Sequence, residues 1–310
     1  MKYRITLLVL ALCLCATERG QAREKYNLWA KERIRYLRTK VDLNPHDPHL
    51  RVLLANAYYE DKQSYEALVH LKKALKMQPD FAEAHCNMGV ILYSQGRLPE
   101  ARKYYEEALQ KDSTLVEARA GLGALLCRTD QEAAGLRYLE QVLKEDPYRV
   151  SARFNMAVAY HKLGDFKKAI KHLEKVREHK ATYPGVKPSL GRAYYNQGLV
   201  YLQAEQAEEA TLILAQALEL LKFNANIYYA KGLGHMQQKE LAEAEAAFEE
   251  TVKLESDHVP ALHNLAVICD QTGRLQEALS YYKKVQALTP HLHTIDAARH
   301  AHYDVKFLVE

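Results

Sequence analysis

The stretch AEAHCNMGVILYSQGRLPEARKYYEEALQKDSTL, residues 82–115, decides the fold. Small and apolar residues recur in it at steps of three and four: Met88, Gly89 and Leu92 before a glycine turn, Ala101, Tyr105 and Ala108 after it. That spacing puts each set on one face of a helix, so the stretch reads as two amphipathic helices joined by a short turn. Shifting by 34 residues finds the pattern again across most of the chain. An internal repeat of this length sets the architecture, because one helix pair cannot bury its own apolar face and must stack on copies of itself.

Seven full repeats begin at 48, 82, 116, 150, 191, 225 and 259. Position 8 is always small: Ala55, Gly89, Gly123, Ala157, Gly198, Gly232, Ala266. Position 20 is small as well: Ala67, Ala101, Gly135, Ala169, Ala210, Ala244, Ala278. Position 24 is large and apolar: Leu71, Tyr105, Leu139, Leu173, Leu214, Phe248, Tyr282. Two antiparallel helices approach closely only where one presents little more than a methyl group and a bulky residue fills the space beside it. Pro79, Pro147 and Pro290 stand at position 32, where the second helix has to stop.

These residues resemble the tetratricopeptide repeat (TPR) family over residues 48–292. The resemblance implies an all-α, right-handed TPR solenoid in which first helices (A) line a groove and second helices (B) form the outer face. It also implies a non-catalytic scaffold whose groove holds protein or peptide clients. In the family, A-helix positions 2, 5, 6, 9, 12 and 13 face the groove. Read onto this chain, repeats 4–6 offer Phe154, Val158, Tyr195, Leu199, Leu202, Tyr229, Leu233 and Met236, an expected apolar and aromatic strip on a wet surface. Position 12 of repeat 2 adds Tyr93, and position 6 supplies Asn87, Asn155, Asn196 and Asn264. An amide both donates and accepts, so a ladder of them can hold an extended backbone. The family's carboxylate clamp wants Lys at position 5 and Asn at position 9 of one repeat. Asn56 is present, but Val52 stands where the Lys should be.

The remaining segments are read from composition and pattern. Residues 1–22 carry Lys2 and Arg4, then 12 residues without charge from Ile5 to Ala16, then Gly20-Gln21-Ala22. This is the pattern of a secretory signal, which places the protein in the periplasm or cell envelope, most simply as an assembly factor of a bacterial envelope complex. The alternative keeps the segment as an uncleaved membrane anchor for a self-assembling TPR coat. Residues 23–47 read as an N-terminal capping helix with a basic face (Arg23, Lys25, Lys31, Arg33, Arg35, Arg38, Lys40) suited to solvent or to an anionic membrane. Repeats 1–4 span 48–183, Pro184 to Leu190 reads as an inserted loop because it holds two prolines and a glycine, and repeats 5–7 span 191–292. Residues 293–310 read as a C-terminal capping helix with a stripe of Ala297, Ala301, Val305 and Leu308.

The formal net charge of +4 falls to +2 on removal of Lys2, Arg4, Glu18 and Arg19, so there is no bulk electrostatic case for nucleic acid. Cys86, Cys127 and Cys269 are an odd, widely spaced set and read as small apolar residues. His291, His293, His300 and His302 form two His-x-His pairs, which in a helix point to different faces, so no metal site is expected. No P-loop, G-x-S-x-G, H-E-x-x-H or Cys-x-x-Cys occurs, and neither a cofactor nor catalysis is expected. Two further departures stand out. Repeats 5 and 6 place Gln197, Lys231 and His235 at apolar positions and Glu205 and Lys239 at the turn glycine. Repeat 4 ends basic (Lys167 to Lys180) and repeat 6 is acidic (Glu240 to Asp257), which admits head-to-tail self-association.

Overall fold

The structure, a computed structural model, describes residues 28–290. The signal or anchor, the start of the N-terminal cap and the C-terminal cap with its histidines lie outside the described residues. Within them the chain forms fifteen helices and no strand. The described residues divide into two compact units that part between Glu145 and Asp146.

In the first unit α1 spans residues 28–43. It is followed by α2 (Pro48–Glu60), α3 (Ser64–Met77), α4 (Ala82–Ser94), α5 (Leu98–Lys111), α6 (Val116–Arg128) and α7 (Glu132–Glu145). The second unit holds α8 (Val150–Lys162), α9 (Phe166–His179), α10 (Val186–Gln203), α11 (Ala207–Leu220), α12 (Ala225–Gln237), α13 (Leu241–Leu254), α14 (Val259–Gln271) and α15 (Leu275–Leu288). Even-numbered helices are therefore A and odd-numbered ones from α3 onward are B. Every B helix has 14 residues, and every A helix except α10 has 13.

The turn from A to B is set at position 15. All seven residues there have φ between 56° and 79°: Lys62, Gly96, Asp130, Gly164, Glu205, Lys239 and Gly273. The left-handed conformation ends one helix and redirects the chain within three residues. Four of the seven are not glycine, which leaves backbone strain in those turns.

Small positions are buried against large ones as the repeat pattern requires. A Cβ added to Gly123 would meet Leu139 Cγ at 2.9 Å, one on Gly198 would meet Leu214 at 2.7 Å, and one on Gly232 would meet Phe248 at 2.5 Å. In each case position 8 receives the position-24 side chain of its own repeat. Tyr105 does this twice over. Its ring lies against Gly89 of its own repeat and against Gly121 of the next, where a Cβ would fall 2.5 Å from Cζ.

Cys86, Cys127 and Cys269 are buried, and a Cβ on Gly135 would sit 2.5 Å from Cys127 Sγ, so that thiol fills a close helix crossing. In α1, Ala30, Ile34, Leu37 and Val41 are buried, and Ile34, Leu37 and Val41 join the core of Val52, Leu54, Leu71 and Met88. Asp47 starts α2 by accepting from the backbone N–H of His49 at 2.8 Å and of Leu50 at 3.2 Å.

The inserted loop of the sequence reading is corrected. Only Lys180 to Gly185 lies outside a helix; from Val186 onward the insertion is helical and lengthens α10 to 18 residues. Val186 and Leu190, four apart, are both buried in the second unit's core and pull the segment into the helix. Pro188 falls in the first turn, where a backbone N–H has no intrahelical partner to lose. Gly185, at φ 81°, makes the bend, and a Cβ there would press on Phe154 at 3.3 Å.

Candidate functional site

The extension of α10 places new side chains beside the A helix of repeat 4. A cavity of about 190 Å³ opens there, lined by Ala157, Val158, His161 and Lys162 of α8, Leu173 of α9, and Ser189 and Arg192 of α10. Two cations and an imidazole face an apolar floor, and no carboxylate is among the lining residues. Asn196, one turn beyond Arg192, lies with Nδ2 2.9 Å from His161 Nε2. The ring also meets Phe166 edge-on at 5.2 Å. Burial first, and Arg192 second, hold the His161 pKa below the ordinary value of 6.5. His161 is therefore neutral near pH 7 and acts as a hydrogen-bonding wall, while Arg192 and Lys162 carry the charge. Ser189 has no hydrogen bond to His161, so no nucleophile and base are paired here. The arrangement is suited to an anionic group on an otherwise apolar segment.

The expected apolar strip is not a continuous wet surface. Leu199, Leu202, Tyr229, Leu233 and Met236 are buried and belong to the core of the second unit. Tyr229 packs with Phe248 at 5.6 Å and His258 at 4.8 Å between ring centroids. A long aromatic at position 5 folds back into the junction of its own helix pair instead of standing out. Phe154 and Tyr195 are half-buried against the same core. Phe154 packs on Tyr183 at 5.1 Å, and burial pushes the Tyr195 hydroxyl up to about 12. Val158 alone of the strip is substantially exposed.

The asparagine ladder is also corrected, because its members tie adjacent A helices together. Asn87 Nδ2 donates to Asn56 Oδ1 at 2.9 Å, Asn196 meets His161, and buried Asn264 donates to the Tyr229 hydroxyl at 3.4 Å. Asn155 is half-buried. Tyr93 is half-buried with the Arg128 guanidinium 5.3 Å from its ring centroid. The position-6 break at Gly121 follows from the Tyr105 ring, which leaves no room for an amide.

Of the odd polar residues of repeats 5 and 6, His235 has a local partner and Gln197 is enclosed. His235 Nδ1 lies 2.7 Å from Glu240 Oε2, and Gln197 is buried. Gln237 and Gln238 donate to the Leu202 and Ala207 carbonyls at 3.1 and 3.2 Å, so α12 closes the open end of the preceding turn. Arg192, Lys162 and Ser189 were not singled out in the sequence. Arg192 is position 2 of repeat 5 and Lys162 is position 13 of repeat 4, both groove positions by the family's rule, so reading those two columns would have found them.

The repeat signature has counterparts among known protein families. Models described as tetratricopeptide repeat match residues 82–115, 148–222 and 229–293, and one described as TPR repeat matches 55–96. The chain belongs to the tetratricopeptide repeat family. No curated protein matches the sequence. Among solved structures, the C-terminal part of a TPR repeat-containing protein from Cytophaga hutchinsonii is 18% identical, covers 78% of this chain and 97% of its own, and superposes with a TM-score of 0.56. The PilF structure from Pseudomonas aeruginosa is 16% identical over 71% of this chain and 95% of its own, at 0.45. A MamA structure is 23% identical over 56% of this chain and 92% of its own, at 0.44. At such identities the first of these likenesses speaks for the tetratricopeptide fold and for nothing finer.

Proposed function

We infer that the protein is an interaction scaffold, the general role that its tetratricopeptide repeats support. We propose that it is non-catalytic and holds a client protein at the pocket between α8 and α10, where an acidic side chain or a carboxyl terminus of the client sits against Arg192 and Lys162. The observation that carries this reading is the cavity of about 190 Å³ lined by two cations and no carboxylate. An apolar neighbour of that acidic group would rest on Val158 and Phe154. The pocket thus takes the place of the buried strip as the client-binding site. With residues 1–22 read as an export signal, the client is a protein of the cell envelope and the role is assembly.

The test places a photo-crosslinking residue at Val158, in the full chain and in living cells, with and without Arg192→Glu. One dominant partner captured from the wild-type background and lost with Arg192→Glu is the expected result. Equal capture in both backgrounds would remove the pocket from the reading, and capture of a second copy of this chain would make it an assembly contact.

A further inference from the structure

Helix α1 does more than cover the first core. Behind its buried stripe, Leu28, Trp29, Tyr36 and Leu43 are each more than half exposed. Trp29, Arg33, Tyr36, Lys40 and Leu43 follow one another at steps of four, three, four and three, so they form a single stripe. The Arg33 guanidinium lies 5.4 Å from the Trp29 ring centroid and the Lys40 ammonium 5.5 Å from that of Tyr36. Along the other flank runs a trough of about 370 Å³ lined by Lys31, Ile34, Arg35, Arg38, Thr39 and Asp42. Arg33 pairs with Glu60 of α2, and Asp42 is the one carboxylate among the described residues that line the trough. Arg38 adds its field to those of Arg51 on α2 and Lys73 on α3.

We propose that this outward face of α1 docks on an anionic lipid surface, with Trp29, Tyr36 and Leu43 entering the headgroup boundary and Lys31, Arg35 and Arg38 reaching the phosphates. The occupant is chosen by the combination. Exposed tryptophan and tyrosine beside lysine and arginine on one helix is the composition of an interfacial anchor, apolar toward the acyl boundary and cationic toward the headgroups. An acidic protein would account for the cations but not for four large apolar side chains standing in water among them. No described helix is long and apolar enough to cross a membrane, so α1 lies on the surface.

Trp29 is the only tryptophan in the chain, so its emission reports on this face alone. The experiment mixes the full chain with phosphatidylcholine vesicles, with and without phosphatidylglycerol, and reads Trp29 emission together with co-sedimentation. The expected result is a blue shift and pelleting on the anionic vesicles. Arg35→Glu with Arg38→Glu, at two exposed positions, should weaken both by about 20-fold or more with unchanged far-UV circular dichroism. Tyr36→Ser should weaken pelleting without altering its salt dependence. A shift of equal size on neutral vesicles, or one that survives the double reversal, would assign the binding to residues 5–16 and overturn the proposal. An emission spectrum unmoved by any vesicle would overturn it as well.

Discussion

Gly121→Ala should destabilise the first unit although it places a better helix former inside a helix. The added Cβ would lie 2.5 Å from Cε1 and Cζ of Tyr105 and 2.9 Å from its hydroxyl oxygen, about 1 Å inside ordinary contact. The ring cannot withdraw, because Gly89 closes its other side at a comparable 2.7 Å and Tyr105 is buried. Overpacking of this kind costs about 1–3 kcal/mol, and the upper half of that range applies where the ring has nowhere to go. The helix gain of alanine over glycine offsets about 0.8–1 kcal/mol of it. A net loss of about 1–2 kcal/mol is expected. Tyr105→Leu installs the residue that position 24 carries in four other repeats and clears the space. In that background Gly121→Ala should keep only its helix gain and stabilise by about 0.5–1 kcal/mol. The sign of one substitution is thus set by a residue of the neighbouring repeat, with a coupling of about 2–3 kcal/mol in a double-mutant cycle. Urea unfolding followed by Trp29 emission and by far-UV circular dichroism measures it, coincident transitions being required for the free energies to be compared. Gly121→Ala acting with the same sign in both backgrounds would refute the wedge.

Two further outcomes follow from strain and titration. Glu205→Gly and Lys239→Gly, at left-handed turns, should each stabilise the second unit by about 0.5–1 kcal/mol, whereas Gly164→Ala at the same position should destabilise it; midpoints that move the other way would contradict the turn geometry. Burial, helped by Arg153, Lys175 and Lys171, lowers the His172 pKa to about 4, and its ring stacks on Tyr160 at 5.6 Å. Because the folded value lies below the ordinary 6.5, the stabilisation is complete above about pH 6.5 and is lost as the pH falls toward 4, by about 1–2 kcal/mol once solvent screening is allowed for. His172→Phe keeps the stack and should flatten the urea midpoint between pH 7 and 5; a pH dependence left as it was would place the acid sensitivity at His70, His161 or His258, which are shifted the same way.

The helices and their order were legible because the repeat states each rule seven times. Position 8 is small and position 24 large in every repeat, and Gly198 against Leu214 is one instance of the close approach that pattern requires. What could not be read was which polar or aromatic residue of a groove column is used internally. Asn87, Asn196 and Asn264 occupy one column, and a column does not say whether an amide looks outward or across to Asn56, His161 or Tyr229. Tyr229 and Tyr195 share position 5, yet one is buried and the other half-buried, because the depth at that position depends on the neighbouring helix pair. The insertion misled for a related reason. Two prolines and a glycine within seven residues signal a loop locally, but Val186 and Leu190 have core to meet, and the first turn of a helix tolerates Pro188. Ser189, which lines the pocket, stands in that segment, so a loop reading of 184–190 leaves the pocket without one of its walls.

The Tyr105 wedge bears on how a chain of near-copies finds its own order while folding. Any of seven similar helix pairs offers its neighbours almost the same docking face, and a pair seated on the wrong copy would be a long-lived trap. Tyr105 reads an identity at that step. Its ring needs a residue without a side chain at position 6 of whatever follows, and Gly121 alone among the seven position-6 residues meets that need. Asn155, Asn196 and Asn264 would each be refused, and Leu53 with them. One glycine thus works as an address label, and a library that shuffled these repeats as interchangeable parts would be expected to lose unique order first at the joint between the second and the third.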